Sequence, residues 1–352
     1  MSRSDLKQPP LVIDGRAIGP DAPCYLIAEV GTTCLGELDS ALALVDAAAA
    51  ARMDAVKFQV INPDQVSDRS VTYKMPTADD VEQSNMYDMF SRLTFSLDEW
   101  RQIQAACEKA SITFFATVDD LSGVDLLRQL DVPAYKIGAW DLTYMPLIQA
   151  VARTGKPCLV DLGPTDESEL LDAVTWFNNM GGKCFVPLHD FHTDVSSQMN
   201  MQAIAYLKDK FGVAGWSSPD LDHDLDIVSL GFGASIIEKR LILDRSAKAY
   251  HAHQSLEPQE LGEWVNRIRR LEQTLGKPAI VPSDSDLQQS KLYYRSICTL
   301  TDIRKGDVFD AENLGGKRPS DGIPTVRLPD VWGKRAARDI VMNTLLTDAD
   351  IA

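Results

Sequence analysis

Ala214–Leu241, AGWSSPDLDHDLDIVSLGFGASIIEKRL, reads as strand, loop, helix, strand. Two short apolar runs, Ala214–Ser217 and Ser235–Arg240, flank an amphipathic segment. Ser217, Ser218 and Pro219 stand at the end of the first run, and Glu238, Lys239 and Arg240 at the end of the second. A unit of this kind delivers two strand ends to one mouth of a parallel barrel, and that mouth is where such folds carry their chemistry.

Outward from this stretch the same alternation repeats. Apolar runs occur at Tyr25–Val30, Ala55–Val60, Thr113–Val118, Ala134–Ala139, Cys158–Leu162 and Cys184–Leu188, making eight in all. Helical patterns such as Glu37–Arg52, Leu97–Lys109, Asn200–Phe211 and Pro258–Leu275 separate or follow them. Strands alternating with helical segments predict a parallel sheet, and eight such units predict a (β/α)8 TIM barrel over residues 1–280. One connection, about Asn62 to Arg92, is too long for a turn and is expected to be a lid or binding loop. After Gly276 the chain turns polar, which predicts a linker over 281–293 and a small β-rich domain over 294–352. That domain carries an internal echo: Asp302-Ile303 with Gly306 recurs as Asp339-Ile340 with Asn343, and both Gly and Asn tolerate the positive φ of a tight turn. So small a domain is marginal alone and is expected to dock on something.

Composition narrows the function. The 352 residues are 45% hydrophobic and 24% charged, as in a soluble globular protein, and no apolar window is long enough to span a membrane. The polar start lacks the apolar core of a signal peptide, so a cytoplasmic location is expected. Six scattered cysteines show neither zinc spacing nor a disulfide framework. A formal charge of −16 argues against nucleic-acid or anionic-membrane partners, so an anionic substrate must meet a local cationic pocket. The predicted strand ends supply one. Glu29, Lys57, Thr117, Lys136, Asp161, His189 and Asp190 all fall there, and two lysines within β-runs are costly to bury without an anion or carboxylate beside them. Lys57 paired with Glu29, or His189 satisfied inside the core, would be structural rather than functional. His192, His223, His251 and His253 lie in predicted loops.

IAEVG, DAVKFQ, QSNMYDMFSRL, FFATVDD, VPAYKIG, ASIIEK, SLEP, RSI, DIRKGDVF and GGKRPSDGI follow one another along nearly the whole chain. In that order and spacing the chain resembles the sialic acid (N-acetylneuraminate) synthases. The resemblance implies a barrel followed by a SAF, or antifreeze-like, domain and a swapped homodimer in which each SAF domain covers its partner's site. It implies condensation of phosphoenolpyruvate with an amino-sugar aldehyde, giving a 2-keto-3-deoxy acid and phosphate. Lys57, Thr117, Lys136, Ser217 and the SAF residue Arg318 are then phosphoenolpyruvate ligands, with Glu29, Arg240, His189 and Asp161 catalytic. Trp140, Asp141, Asp190 and His251 fall to the acceptor.

The departures matter as much. Family members hold manganese or magnesium with two histidines, and Pro219 and Arg240 stand at those positions, so no metal cofactor is expected. Arg240 is expected to supply positive charge to the acceptor carbonyl, unless it pairs with Asp161 or Asp190, or a relocated metal uses His189, Asp190 and His251. Lys136–Asp141, KIGAWD, brings an indole beside the pocket, while Asp161-Leu162-Gly163 and Lys248–Ala252 also depart from the pattern. A different reaction on phosphoenolpyruvate or another small phosphorylated anion, and a non-catalytic homologue, remain alternatives.

Overall fold

The computed structural model describes Leu6, residues 9–76, 81–219, Leu221 and residues 223–352. Asp220, part of the departing segment after the seventh predicted strand, lies outside them. The chain divides into two compact units, Met1–Gly276 and Lys277–Ala352.

The first unit is a closed barrel of eight parallel strands. They are β1 (Tyr25–Glu29), β2 (Ala55–Val60), β3 (Thr113–Val118), β4 (Tyr135–Ile137), β5 (Cys158–Asp161), β6 (Phe185–His189), β7 (Gly215–Ser217) and β8 (Ile236–Arg240). Each pairs with the next, and β8 closes on β1 with Ile236 opposite Tyr25 and Arg240 opposite Glu29. A helix follows every strand: α1 (Leu38–Ala50), α2 (Leu97–Ala110), α3 (Leu121–Gln129), α4 (Met145–Ala152), α5 (Glu167–Asn179), α6 (Ala203–Phe211), α7 (His223–Gly231) and α8 (Pro258–Glu272). His223 therefore opens a helix rather than sitting in a loop.

Both faces of these strands are covered, so β3 is buried at every position. Capping boxes start α2, at Ser96 and Glu99, and α5, at Asp166 and Glu169, satisfying first-turn amides that would otherwise lack partners. A hairpin, Leu11–Ile13 with Arg16–Ile18, lies against the N-terminal face, where Thr113 Oγ1 donates to Asp14 Oδ2 at 3.1 Å. Chemistry is left to the opposite rim. There the long insertion after β2 folds into a helix, Pro63–Val66, a hairpin, Thr72–Pro76 with Val81–Asn85, and a second helix, Met86–Arg92. Tyr73 of that hairpin meets Tyr250, beyond β8, edge to face at 5.4 Å.

The second unit opens with a helix, Asp284–Tyr293, inside the stretch expected to be a turn-rich linker. Its Asp and Ser content obscures it, yet Ser283 Oγ accepts from Asp286 N–H at 3.1 Å while Asp286 accepts from Ser283 N–H at 3.0 Å, and this reciprocal cap nucleates the helix. An antiparallel pair, β9 (Ser296–Thr299) and β10 (Leu314–Lys317), packs over a small core that includes Ile297, Phe309 and Leu346. The internal echo is a structural one. Ile303 and Ile340 exchange both backbone hydrogen bonds at 2.8 Å. The Asp302 carboxylate accepts from Met342 N–H and the Asp339 carboxylate from Lys305 N–H, each at 2.7 Å, and Gly306 and Asn343 both have positive φ.

All six cysteines are buried and free. Among the described residues no helix is long and apolar enough to cross a membrane.

Candidate active site

Side chains alternate along a strand, so residues two apart share a face. On β8, Glu238 and Arg240 face the barrel interior and Lys239 faces the helices. The contacts bear this out. Lys239 Nζ donates to Asp226 Oδ2 and Ser218 Oγ, each at 2.9 Å, and Asp226 also accepts from the indole N–H groups of Trp216 and Trp264. This fully buried charge is thus held by a structural network between β7, β8 and the helices around them.

Glu238 is the hub of the interior. Its Oε2 accepts from Lys136 Nζ at 2.8 Å and its Oε1 lies 3.3 Å from Lys57 Nζ. Lys136 Nζ is also 2.9 Å from Asp161 Oδ1. Lys57 pairs with Glu29 and donates to Thr117 Oγ1 at 2.7 Å. Burial works against the Lys136 ammonium, but Asp161 and Glu238 outweigh it and raise its pKa. Burial likewise opposes ionisation of Glu238, and Lys136 and Lys57 overcome it, holding the carboxyl down to about 2. For Glu29 and Asp161 burial prevails, and both are raised despite their lysines. The two lysines therefore have carboxylate partners without any bound anion. The pairing of Lys57 with Glu29, weighed as structural, is present.

Gly31 fixes Glu29 from above. Its N–H donates to Glu29 Oε1 at 2.8 Å, and a Cβ at this position would lie 2.8 Å from that oxygen and 2.6 Å from Gln59 Cβ.

Nearer the rim, Asp190 is buried and its pKa is raised well above the usual range, first by burial and then by the Asp161 charge, with Arg240 and Lys136 opposing. Ser217 is opposite Glu238 in the β7–β8 register. Arg240 is half-buried, and its Nη1 donates to the Ser218 carbonyl at 3.4 Å. Among the described residues it forms no ion pair with Asp161 or Asp190. His251, in the left-handed region, is half-buried, and burial followed by the Arg240 charge pushes its imidazole well below its ordinary pKa. Trp140 is exposed and packs against His192 with the rings tilted by 45° and their centroids 4.6 Å apart. Asp141 ends the short 3-10 turn after β4, and its carboxyl and that of Asp119, just past β3, are close enough for each to act on the other's ionisation.

One expectation changes. His189 does not join the mouth. It is opposite Trp216 in the β6–β7 register, faces the helix layer, and its Nε2–H donates to the Met199 carbonyl at 2.9 Å. It therefore cannot join Asp190 and His251 around a relocated metal. Arg318 lies in the second unit, where it is exposed and its Nε donates to the Tyr293 carbonyl at 2.6 Å. Glu238 is named at the strand end but given no role in the sequence reading, and Gln59 and Asp119 are not named there, although each is two residues from a recognised position and so on its face.

The divalent metal that the resemblance implies does not fit these residues. At the ends of β7 and β8 stand a proline and a guanidinium that repels cations. Among the described residues no three His, Cys, Asp or Glu side chains converge as a ligand set. A separate cavity of about 360 Å³, lined by Leu93, Phe95, Trp100 and Leu126 among others, contains none of the residues at the mouth.

Comparison with known proteins agrees with this architecture. Residues 44–279 match the NeuB family and residues 294–352 the SAF domain. An uncharacterised protein of Methanocaldococcus jannaschii is 32% identical, over 93% of this chain and 94% of its own length. The N,N'-diacetyllegionaminic acid synthase of Campylobacter jejuni is 28% identical, over 92% of this chain and 98% of its own. The crystal structure of N-acetylneuraminic acid (sialic acid) synthetase from Leptospira borgpetersenii, in complex with citrate, superimposes with a TM-score of 0.71 at 26% identity, covering 80% of this chain and 95% of that one. With its closed barrel and SAF domain, the chain belongs to the NeuB family as an enzyme of the synthase kind.

Proposed function

We propose that this enzyme condenses phosphoenolpyruvate with an aldehyde sugar or related aldehyde, releasing phosphate and a 2-keto-3-deoxy acid, and that it does so without a divalent metal. The observation that carries the reading is the pair of buried ammonium groups, Lys57 and Lys136, converging with Thr117 below the barrel rim. Point charges in a partly desolvated pocket suit the carboxylate and phosphate oxygens of phosphoenolpyruvate. Glu29 and Asp161 sit beside them with raised pKa values, so they can take up protons as the anion arrives and free the lysines to bind it. Glu238 stays ionised and keeps the two ammonium groups in place.

The acceptor lies above, toward Trp140, Asp141, Asp190 and His251. Arg240 hydrogen-bonds its carbonyl oxygen, and a permanently cationic, planar donor set there replaces part of the charge a metal would bring. Arg318 of the partner subunit completes the site in a swapped homodimer, which gives the small SAF domain the docking surface it needs.

The test is phosphate release from phosphoenolpyruvate, with and without a panel of aldoses, in excess chelator. Phosphate is expected only when both substrates are present, and chelator should not stop it. Release without an aldehyde, or activity that vanishes with chelator and returns with manganese, overturns the corresponding half of the proposal.

A further inference from the structure

Asp119 and Asp141 meet at the rim as a carboxyl pair that neither strand pairing nor helix capping requires. Asp119 follows β3 on the face that carries Thr117, and is 8% exposed. Gln59 Nε2 donates to its Oδ2 at 2.7 Å, and Gln59 is itself opposite Thr117 in the β2–β3 register. The pair therefore lies one step nearer solvent than the Lys57 and Thr117 layer, at the level where a second substrate would rest on phosphoenolpyruvate. Two neighbouring carboxyls do not both ionise readily, so such a pair keeps a proton to higher pH than either would alone.

Apart from Asp190, whose raised pKa makes it the rival donor, and Glu29 and Asp161, which pair with the lysines below, the other groups at the mouth are poor proton donors. Lys136 is held protonated by its carboxylates. His192, His251 and His253 are all lowered, toward neutral imidazole.

The geometry points to the Asp119–Asp141 pair as the general acid of the condensation, donating its proton to the aldehyde oxygen while the new C–C bond forms. This rests on the function proposed above. C3 of phosphoenolpyruvate attacks the carbonyl carbon with the electrons of its C2–C3 double bond. The carbonyl electron pair moves to oxygen, which takes the pair's proton and becomes a hydroxyl. Water then adds to the electron-poor C2, and one of its protons returns to the pair. The bond from C2 to the phosphate oxygen breaks, phosphate leaves with those electrons and the remaining water proton, and C2 becomes the keto carbon.

The electrostatics agree. Burial, followed by the Asp141 charge, pushes Asp119 up to about 8, with the Gln59 hydrogen bond and Lys57 opposing. Burial pushes Asp141 up to about 6, with the Asp119 hydrogen bond opposing and the Asp120 charge adding. The groups facing the pair are thus Gln59 and Lys57 of β2 and Asp120 of its own loop. Asp120 is committed to capping α3, accepting from Gly123 N–H at 2.9 Å. Because the protonated pair is the active form, the rate should be full below the upper pKa and fall as pH rises through about 8.

The experiment compares the full-length wild type with Asp119→Asn, Asp119→Glu and Asp190→Asn. It measures kcat against pH with the best aldose from the phosphate-release panel, and phosphoenolpyruvate binding by calorimetry. Infrared difference spectra across the same pH range follow the stretch of a protonated carboxyl without needing turnover. Asp119→Asn should bind phosphoenolpyruvate as wild type does, lose about 100-fold or more in kcat, and lack the alkaline limb and the titrating infrared band. Asp119→Glu should recover much of the rate with a limb at shifted pH. An alkaline limb unchanged in Asp119→Asn, or removed by Asp190→Asn instead, overturns the inference while phosphoenolpyruvate still binds. A wild type that fails to bind phosphoenolpyruvate overturns the underlying function, and the infrared titration alone then decides whether the pair holds a proton.

Discussion

Glu238 Oε2 accepts a hydrogen bond from Lys136 Nζ at 2.8 Å, across the barrel interior from β8 to β4. The other oxygen of the same carboxylate faces Lys57 at 3.3 Å, so one side chain compensates two buried cations. Glu238→Gln should cost about 3–5 kcal/mol, because it leaves buried ammonium charge undercompensated. Chemical denaturation at neutral pH measures this. With its carboxyl held down to about 2, Glu238 contributes fully above the ordinary glutamate range. That contribution is lost as pH falls from the ordinary range through about 2, so the gap between wild type and variant should close over that window.

Glu29 and Asp161 are the neighbouring carboxyls whose pKa values burial raises. An arriving anion raises them further, so phosphoenolpyruvate should bind with net proton uptake and bind more tightly as pH falls toward the protonation of phosphoenolpyruvate itself. Calorimetry in buffers of different ionisation enthalpy gives the proton number and its sign. Proton release would contradict the arrangement.

Gly31 leaves no room for a methyl group between Gln59 and Glu29. Gly31→Ala should displace Glu29 from Lys57, destabilise the barrel by about 1–3 kcal/mol, and weaken phosphoenolpyruvate binding. Thermal melts and calorimetry check the two effects separately.

Much of this was legible in the sequence, for identifiable reasons. Strands buried on both faces are unbroken apolar runs, so their positions stand out, and a lysine inside such a run, as at Lys57 or Lys136, is conspicuous. Glu238 was harder to read because a glutamate among charged strand-end residues looks like ordinary rim polarity. Only its two-residue spacing from Arg240 gives its face away. His189 misled because it ends a strand at the mouth while its side chain turns outward to the helix layer, and the Met199 carbonyl that satisfies its ring lies in a loop whose path the sequence does not fix. The helix at 284–293 was hidden by residues that serve equally well in turns.

Arg240→His is the direct test of the charge at the end of β8. The variant should lose activity in chelator and gain a dependence on manganese that the wild type lacks. Arg240→Lys keeps the charge but loses the planar donor pair, and should lower kcat by about 100-fold with little change in phosphoenolpyruvate affinity.

If Arg318 reaches the partner's barrel, inactive chains should complement one another. Arg318→Ala and Lys136→Ala proteins, each nearly inactive, should regain up to about one quarter of wild-type activity when unfolded and refolded together, since a mixed dimer has one site with both residues intact. A monomer by light scattering, or no recovery on mixing, excludes the swapped arrangement.

In the SAF domain, each half of the echo holds the turn of the other: Asp302 takes the Met342 amide and Asp339 the Lys305 amide. Neither half contains the carboxylate that its own Lys305 or Met342 amide uses, so neither is a complete folding unit. A chain cut near Gly333 would yield two fragments, each carrying one member of both interlocking pairs. Their reassembly should be second order, depending on the concentration of both, and the domain is therefore a natural split reporter whose recovery counts encounters between the pieces.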